Sequence, residues 1–271
     1  MLICPKCALP LTQEKTRAIG PKGHSFDRAR QGYWNLLLDS SSKGHGDDEG
    51  MLRARRSFLE RGYYEALALE IAAAVRGYSP ENPVLLDAGC GEGYYTEKTV
   101  RLLNENAKRP QLYAFDISKY AVRMTAARFH GNGCFFVASS FSVTMESGGV
   151  DLILSLFSPY CEEEFLRLLK PGGYLIRAVP LADHLYSLKE AVYEKPTRNL
   201  TKATVGDRFV SVEERNVRKE MVLSSNEDIQ SLFGMTPYVH KTGKEDLEKL
   251  SRLENLKTCL DVGILVTRKI Q

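Results

Sequence analysis

Asp87-Ala88-Gly89-Cys90-Gly91-Glu92-Gly93 sets an acidic residue two positions ahead of three alternating glycines. Glycines so spaced let the chain turn sharply and bring bare main chain against a ligand. A dinucleotide site needs glycine at the first, third and sixth positions, so that a pyrophosphate can rest on the helix N-terminus. Counted from Gly89, the sixth position here is the bulky Tyr94, and the third glycine falls one place early. The spacing therefore argues against a dinucleotide; a tight turn without any ligand is the plainer alternative. About twenty residues on, Asp116 ends a second apolar run, where a carboxylate can accept hydrogen bonds from both ribose hydroxyls. It equally suits the N-cap region of the helix that begins near Ser118. A second group with chemical potential opens the chain. Cys4-Pro5-Lys6-Cys7 is half of a zinc ribbon, because two thiolates on a tight knuckle can share one tetrahedral metal. His24 supplies a third ligand, but Gly20 stands where a cysteine would complete the set. Three ligands and a water hold zinc less tightly than a closed site of four. A thioredoxin-type pair is disfavoured, since no strand precedes the motif and no helix follows it.

These groups need strands and turns to position them, and the apolar pattern supplies both. Residues 84–86 read as a first buried strand and 112–115 as a second. Cys134–Val137 is a third, ending at Ala138-Ser139-Ser140, and 150–157 a fourth. Leu168-Leu169-Lys170 is expected to end a helix, Pro171-Gly172-Gly173 to turn, and residues 174–176 to form a fifth strand. An alternating pair is expected around residues 208–223, a capped helix from Ser225, and a last strand at 261–267. Cys134, Cys161 and Cys259 read as core thiols, and Cys90 as a small apolar filler. Strands alternating with helices give an α/β sheet with ligands at the strands' carboxyl ends. The expected organisation is a β-rich module over residues 1–38, a polar linker and lead-in helices over 39–81, and the α/β core over 82–271. Within the middle part, Asp39 to Gly50 is the linker and residues 51–76 make one or two helices.

Composition narrows the class. The chain has 271 residues, 43% of them hydrophobic, and a net charge of +3. No apolar run approaches the roughly 18 residues of a membrane helix, and no signal peptide opens the sequence. Six scattered cysteines suggest reduced thiols and a cytoplasmic setting. Residues 1–56 hold ten Lys and Arg against six Asp and Glu, so the basic excess is N-terminal. Phe26, Tyr33 and Trp34 are interleaved with it, a mixture suited to holding phosphates and stacking on bases. On charge alone, a solvated face around a small aromatic core explains it as well.

The D-x-G-x-G-x-G order and the Leu169-Lys170-Pro171-Gly172-Gly173 turn resemble those of class I S-adenosylmethionine-dependent methyltransferases. Further segments make the resemblance specific: the Cys-Pro-x-Cys opening, His24-Ser25-Phe26-Asp27, Gly32-Tyr33-Trp34-Asn35-Leu36-Leu37, and Gly50-Met51-Leu52-Arg53-Ala54-Arg55-Arg56. With Asp87 to Thr96, Ala182-Asp183-His184-Leu185 and Met235-Thr236-Pro237-Tyr238, they resemble the bacterial 23S ribosomal RNA (guanine-N1)-methyltransferases along nearly the whole chain. The resemblance implies a Rossmann-like, mostly parallel seven-stranded sheet with helices on both faces, preceded by a zinc-ribbon-like β module that recognises RNA. It implies S-adenosylmethionine at Tyr64, Asp87, Gly89, Gly91, Glu92, Gly93, Asp116, Ser139 and His184. It implies zinc at Cys4, Cys7 and His24, with Gly20 replacing the family's third cysteine. Ser158-Pro159-Tyr160 resembles the short motif at which nitrogen-directed methyltransferases hold a planar amine or ring nitrogen. The implied partner is a 23S ribosomal RNA hairpin with no membrane, and a homodimer is compatible with the reading. The other readings are a small-molecule methyltransferase and an RNA-binding protein with a vestigial cofactor site.

Overall fold

The computed structural model describes residues 1–38, 46–200 and 205–270. Three short strands, β1 (Thr12–Gln13), β2 (Arg17–Ile19) and β3 (Ser25–Asp27), form an antiparallel sheet. The next strand, β4 (Tyr33–Asn35), leaves this module and pairs in parallel with β7 (Cys134–Val137). Two helices follow, α1 (Glu49–Glu60) and α2 (Glu65–Tyr78). The expected linker thus gives up Glu49 and Gly50 to α1, whose N-cap Asp48 accepts a 2.9 Å hydrogen bond from the Met51 N–H. Gly46, Asp47 and Asp48 lead into that helix, and the linker's first part, residues 39–45, lies outside the described residues.

The core then alternates: β5 (Val84–Ala88), α3 (Tyr94–Glu105), β6 (Gln111–Asp116), α4 (Lys119–Arg128) and β7. After these come β8 (Val150–Leu156), α5 (Glu162–Leu168), β9 (Leu169–Pro180), α6 (Tyr186–Val192) and β10 (Phe209–Leu223). The chain closes with α7 (Asn226–Gly234), a 3-10 turn (Pro237–His240), α8 (Lys244–Ser251) and β11 (Leu256–Lys269). The large sheet has the order β10-β11-β9-β8-β5-β6-β7-β4, with only the β9–β11 and β11–β10 pairings antiparallel. Seven strands come from the core, as expected, and β4 is the eighth. β5 to β8 carry near-continuous apolar runs because the middle of a parallel sheet is covered on both faces.

The two faces are covered differently. On one, α1–α4 and α6–α8 pack around residues such as Phe58, Leu67, Ile71, Leu85, Leu154 and Ile264. On the other, Leu2, Cys4, Leu11, Trp34 and Leu36 of the N-terminal module join Phe115, Phe136 and Phe165. No helix forms between β7 and β8, and the start of the chain takes that place through the bridge Leu2–Met145 and an Ile3 N–H donated to Thr144 O at 3.0 Å. Pairing of β4 also covers the edge of β7, which would otherwise present free backbone groups.

Two local expectations are corrected. Pro171-Gly172-Gly173 lies inside β9, not before it: the strand starts at Leu169, opposite Val150, bulges through Gly172 at φ +75°, and re-pairs with Tyr174 opposite Leu152. The pair expected near residues 208–223 is a single long strand with β11 as its partner. Among the thiols, Cys90 and Cys134 are buried but Cys161 and Cys259 are only half-buried.

Candidate functional site

The glycine loop leaves the carboxyl end of β5 and enters α3. The Gly89 and Cys90 N–H groups both donate to Phe115 O at 2.9 Å, which ties the loop to the end of β6. Gly89 sits at φ +84°, and a Cβ there would come within 2.5 Å of the Ser158 Cβ. Only glycine meets both constraints. Asp116 accepts from the Gly91 N–H at 3.0 Å and the Ser118 N–H at 2.8 Å. The N-cap expected of Asp116 falls instead to Ser118, whose side chain caps α4, while Asp116 grips the loop beside it. Burial raises the Asp116 pKa against the pull of those two N–H groups.

Asp87 is buried beneath the loop, where Oδ2 accepts from the Thr96 hydroxyl and Oδ1 has no partner. Burial is the main cause that pushes its pKa up to about 7; the Thr96 bond opposes this and the Asp116 charge adds to it. An orphaned carboxylate oxygen in a loop of bare main chain fits a ligand that carries a cationic amino group, as S-adenosylmethionine does. Glu92 instead turns under the loop. It is buried against Arg128, which also pairs with Glu97 at 2.5 Å and Glu60 at 3.0 Å. Gly93 is the left-handed N-cap residue of α3.

An aromatic wall stands beside the loop. Tyr64, at the N-cap of α2, is buried with its hydroxyl 3.4 Å from Nε2 of His184. The Asp261 N–H donates to His184 Nδ1 at 3.3 Å, so the neutral ring carries its proton on Nε2 and donates it to Tyr64. Burial, aided by the Lys189 charge, lowers the His184 pKa to about 4. Phe157 stacks on that imidazole with centroids 6.1 Å apart and leaves 43% of itself exposed. The next residue, Ser158, donates its hydroxyl to Ala88 O at 2.7 Å and lies 3.1 Å from the Ser155 hydroxyl. Pro159 is exposed, and the Tyr160 hydroxyl donates to Glu162 at 2.9 Å. The buried Arg177 guanidinium lies over the Tyr160 ring, 4.1 Å from its centroid, with Nη1 unpartnered. Ser139, at the end of β7, accepts from the Phe141 N–H at 3.2 Å, and Phe141 is largely exposed.

The carboxyl ends of β5, β6, β7 and β8 thus gather Asp87, the glycines, Asp116, Ser139 and Ser158, with Tyr64 and His184 alongside. Sequence reasoning placed Phe157 only at the end of the fourth strand, and it missed the positions of Arg55, Arg128 and Arg177. A run such as Arg53-Ala54-Arg55-Arg56 carries no local sign of which arginine turns inward.

The Cys4, Cys7 and His24 ligand atoms all lie within 4.8 Å of one another, with Cys4 Sγ 3.3 Å from His24 Nδ1. One zinc ion at about 2.0–2.3 Å from each ligand fits such a cluster. Gly20 lines it: a Cβ added there would meet Cys4 Cβ at 3.6 Å and Leu11 Cδ2 at 3.5 Å, ordinary contacts.

Known proteins were compared with this chain. A zinc-ribbon family described as "RlmA, N-terminal" matches residues 2–38, and a family described as "Methyltransferase domain" matches residues 80–228. YxjB of Bacillus subtilis (strain 168), which carries the name of a 23S rRNA (guanine-N1)-methyltransferase, is 28% identical over 99% of this chain and 97% of its own. The 23S rRNA (guanine(748)-N(1))-methyltransferase of Streptomyces fradiae is 33% identical over 70% of this chain and 67% of its own. Among solved structures, a geranyl diphosphate methyltransferase in complex with SAM superposes with a TM-score of 0.51 at 13% identity, covering 86% of this chain and 96% of that one. That likeness speaks to the fold.

Proposed function

The chain belongs to the family of 23S rRNA (guanine-N1)-methyltransferases, and from that premise we propose that it transfers a methyl group from S-adenosylmethionine to N1 of a guanine in a large-subunit ribosomal RNA hairpin. The observation that carries the reading is the joining of a donor-type loop and a Cys/His module across one sheet, through β4 and β7. Residues 1–38 recognise the RNA, 39–81 form the linker and lead-in helices, and 82–271 carry out the transfer. No helix among the described residues is long and apolar enough to cross a membrane. The enzyme acts in the cytoplasm, where bacterial ribosomal RNA is modified.

S-Adenosylmethionine supplies an electrophilic methyl group on a sulfonium centre. The bare main chain of Gly89, Gly91 and Gly93 receives its amino-acid part, and Asp87 Oδ1 its ammonium group. Asp116 accepts from the ribose hydroxyls, Ser139 borders the adenine, and the Tyr64–His184 pair closes the wall. Glu92 acts from below, by holding Arg128 under the loop. On the acceptor side, the exposed Phe157 ring offers a stacking surface to an extruded base, and Ser158 to Tyr160 set its edge. In-line displacement needs little more than alignment of nucleophile and methyl, which a rigid strand end provides. Guanine N1 must give up its proton before its lone pair can attack.

The test is transfer of labelled methyl to 23S ribosomal RNA, followed by nucleoside analysis. Label in 1-methylguanosine is the expected result. Label only in a small metabolite, or in another base, refutes the substrate assignment. Absence of donor binding refutes enzyme function altogether.

A further inference from the structure

A cationic neighbour of the loop that has a single carboxylate partner lies on α1. Arg128, under the loop, is already matched by Glu60, Glu92 and Glu97. Arg55 reaches over it: a Cβ added at Gly91 would lie 3.5 Å from Arg55 Nη1. Its positive charge also opposes the burial-driven rise in pKa of Tyr64, Tyr95 and Asp116, so it faces the wall and the ribose carboxylate alike. One side of the guanidinium is anchored, as Nη2 donates to Met235 O at 3.1 Å. The other side, Nη1, pairs with a single acid, Asp47. Asp47 is half-buried on a short strap in front of α1, held by a 2.8 Å bond from the Ser118 hydroxyl to Asp47 O. The pocket therefore holds Asp87 and Asp116 for the cationic and hydroxyl groups of its ligand. For a carboxylate it offers Arg55.

We propose that Arg55 is the receptor for the α-carboxylate of the methyl donor, and that Asp47 is the internal carboxylate it exchanges for that group on binding. The proposal rests on the reading of S-adenosylmethionine as donor. With Nη2 engaged by Met235 O and Nη1 by Asp47, a ligand carboxylate that takes the Nη1 position displaces Asp47 from it. Arginine suits the role, because its fork can turn from one carboxylate to another while Met235 O holds its far edge.

The closing experiment compares S-adenosylmethionine with its decarboxylated form, which keeps the sulfonium, ammonium and adenosine and loses only the carboxylate. Binding of each is measured by calorimetry on the full chain, on Arg55→Met and on Asp47→Asn. The unmodified chain is expected to prefer the carboxylated donor by roughly 10- to 100-fold, the range of a charged hydrogen-bonded contact. Arg55→Met should lose that preference while binding the decarboxylated form as before, which also shows that the variant is folded. Asp47→Asn should bind the carboxylated donor several-fold more tightly. An Arg55→Met variant that weakens both forms equally overturns the receptor assignment, and an Asp47→Asn variant with unchanged affinity overturns the exchange. If the unmodified chain binds neither form, the donor reading itself fails.

Discussion

Restoring a fourth ligand at position 20 tests the metal site directly. Gly20 has an ordinary backbone, and a Cβ there would meet Leu11 Cδ2 at 3.5 Å, Cys4 Cβ at 3.6 Å and His24 O at 3.8 Å. Cysteine is therefore accommodated without strain, and its sulfur starts beside the Cys4, Cys7 and His24 atoms that already lie within 4.8 Å of one another. Structural zinc sites with four ligands bind with about 10–16 kcal/mol, so one ligand is worth roughly 3 kcal/mol, or on the order of 100-fold in affinity. Gly20→Cys should accordingly hold zinc about 100-fold more tightly than the unmodified chain, in competition against a chromophoric chelator at pH 7. The assay must be run in a reductant that does not bind metal. A Cβ separation of 3.6 Å is also right for a disulfide between positions 4 and 20, and oxidation would mask the gain. Equal affinities in the two folded, reduced proteins would refute the reasoning, as would the absence of zinc from both.

Three further outcomes are expected. Asp87 has a folded pKa of about 7 against an ordinary 3.8, so the folded state retains the proton that the unfolded chain releases, and stability falls as pH rises from about 4 to 7. Asp87→Asn should melt a few degrees higher than the unmodified chain at pH 8, converge with it near pH 4, and bind the donor about tenfold more weakly; a melting difference independent of pH would contradict this. His184 shows the opposite sign: its folded pKa, about 4, lies below the ordinary 6.5, so its contribution is complete above pH 6.5 and lost as pH falls toward 4. His184→Asn should flatten that acid limb of the melting curve, and an unchanged limb would place the titration elsewhere. Arg128→Met leaves the buried Glu92 without its cation, at a cost of about 3–5 kcal/mol by urea denaturation; a loss below 1 kcal/mol would show that the pair is dispensable.

The parts of the site that can be read in the sequence are those whose local pattern is itself the structure. Residues 84–87 and 112–116 are short apolar runs that end in an acid, and their length and flanking turn residues mark them as buried strands. The glycines that follow declare a turn by their spacing. Side-chain direction at a distance is less legible. Glu92, within the motif, points to Arg128 because α4 passes beneath the loop, and nothing near residue 92 announces that helix. Tyr33-Trp34-Asn35 is too short to show which sheet it will join; only the apolar surface of β7 and its neighbours decides it. Arg177 reads like any charged residue at the end of a strand, yet it is buried under Tyr160. Pro171-Gly172-Gly173 signals a turn, and the chain does turn there, but as a bulge within a strand that resumes its pairing.

The pairing of β4 with β7 also bears on how the chain is made. Tyr33 and its partner Phe135 are separated by about 100 residues, which the ribosome adds in roughly 5–20 s. During that interval the segment carrying Trp34 has left the exit tunnel while the strand it must join has not been synthesised. The N-terminal module therefore waits with its apolar side uncovered until β7 emerges, because the β4–β7 seam joins the sheet's earliest strand to one made about 100 residues later. A slow stretch of translation before residue 134 would lengthen that exposure and raise the growing chain's need for a chaperone there.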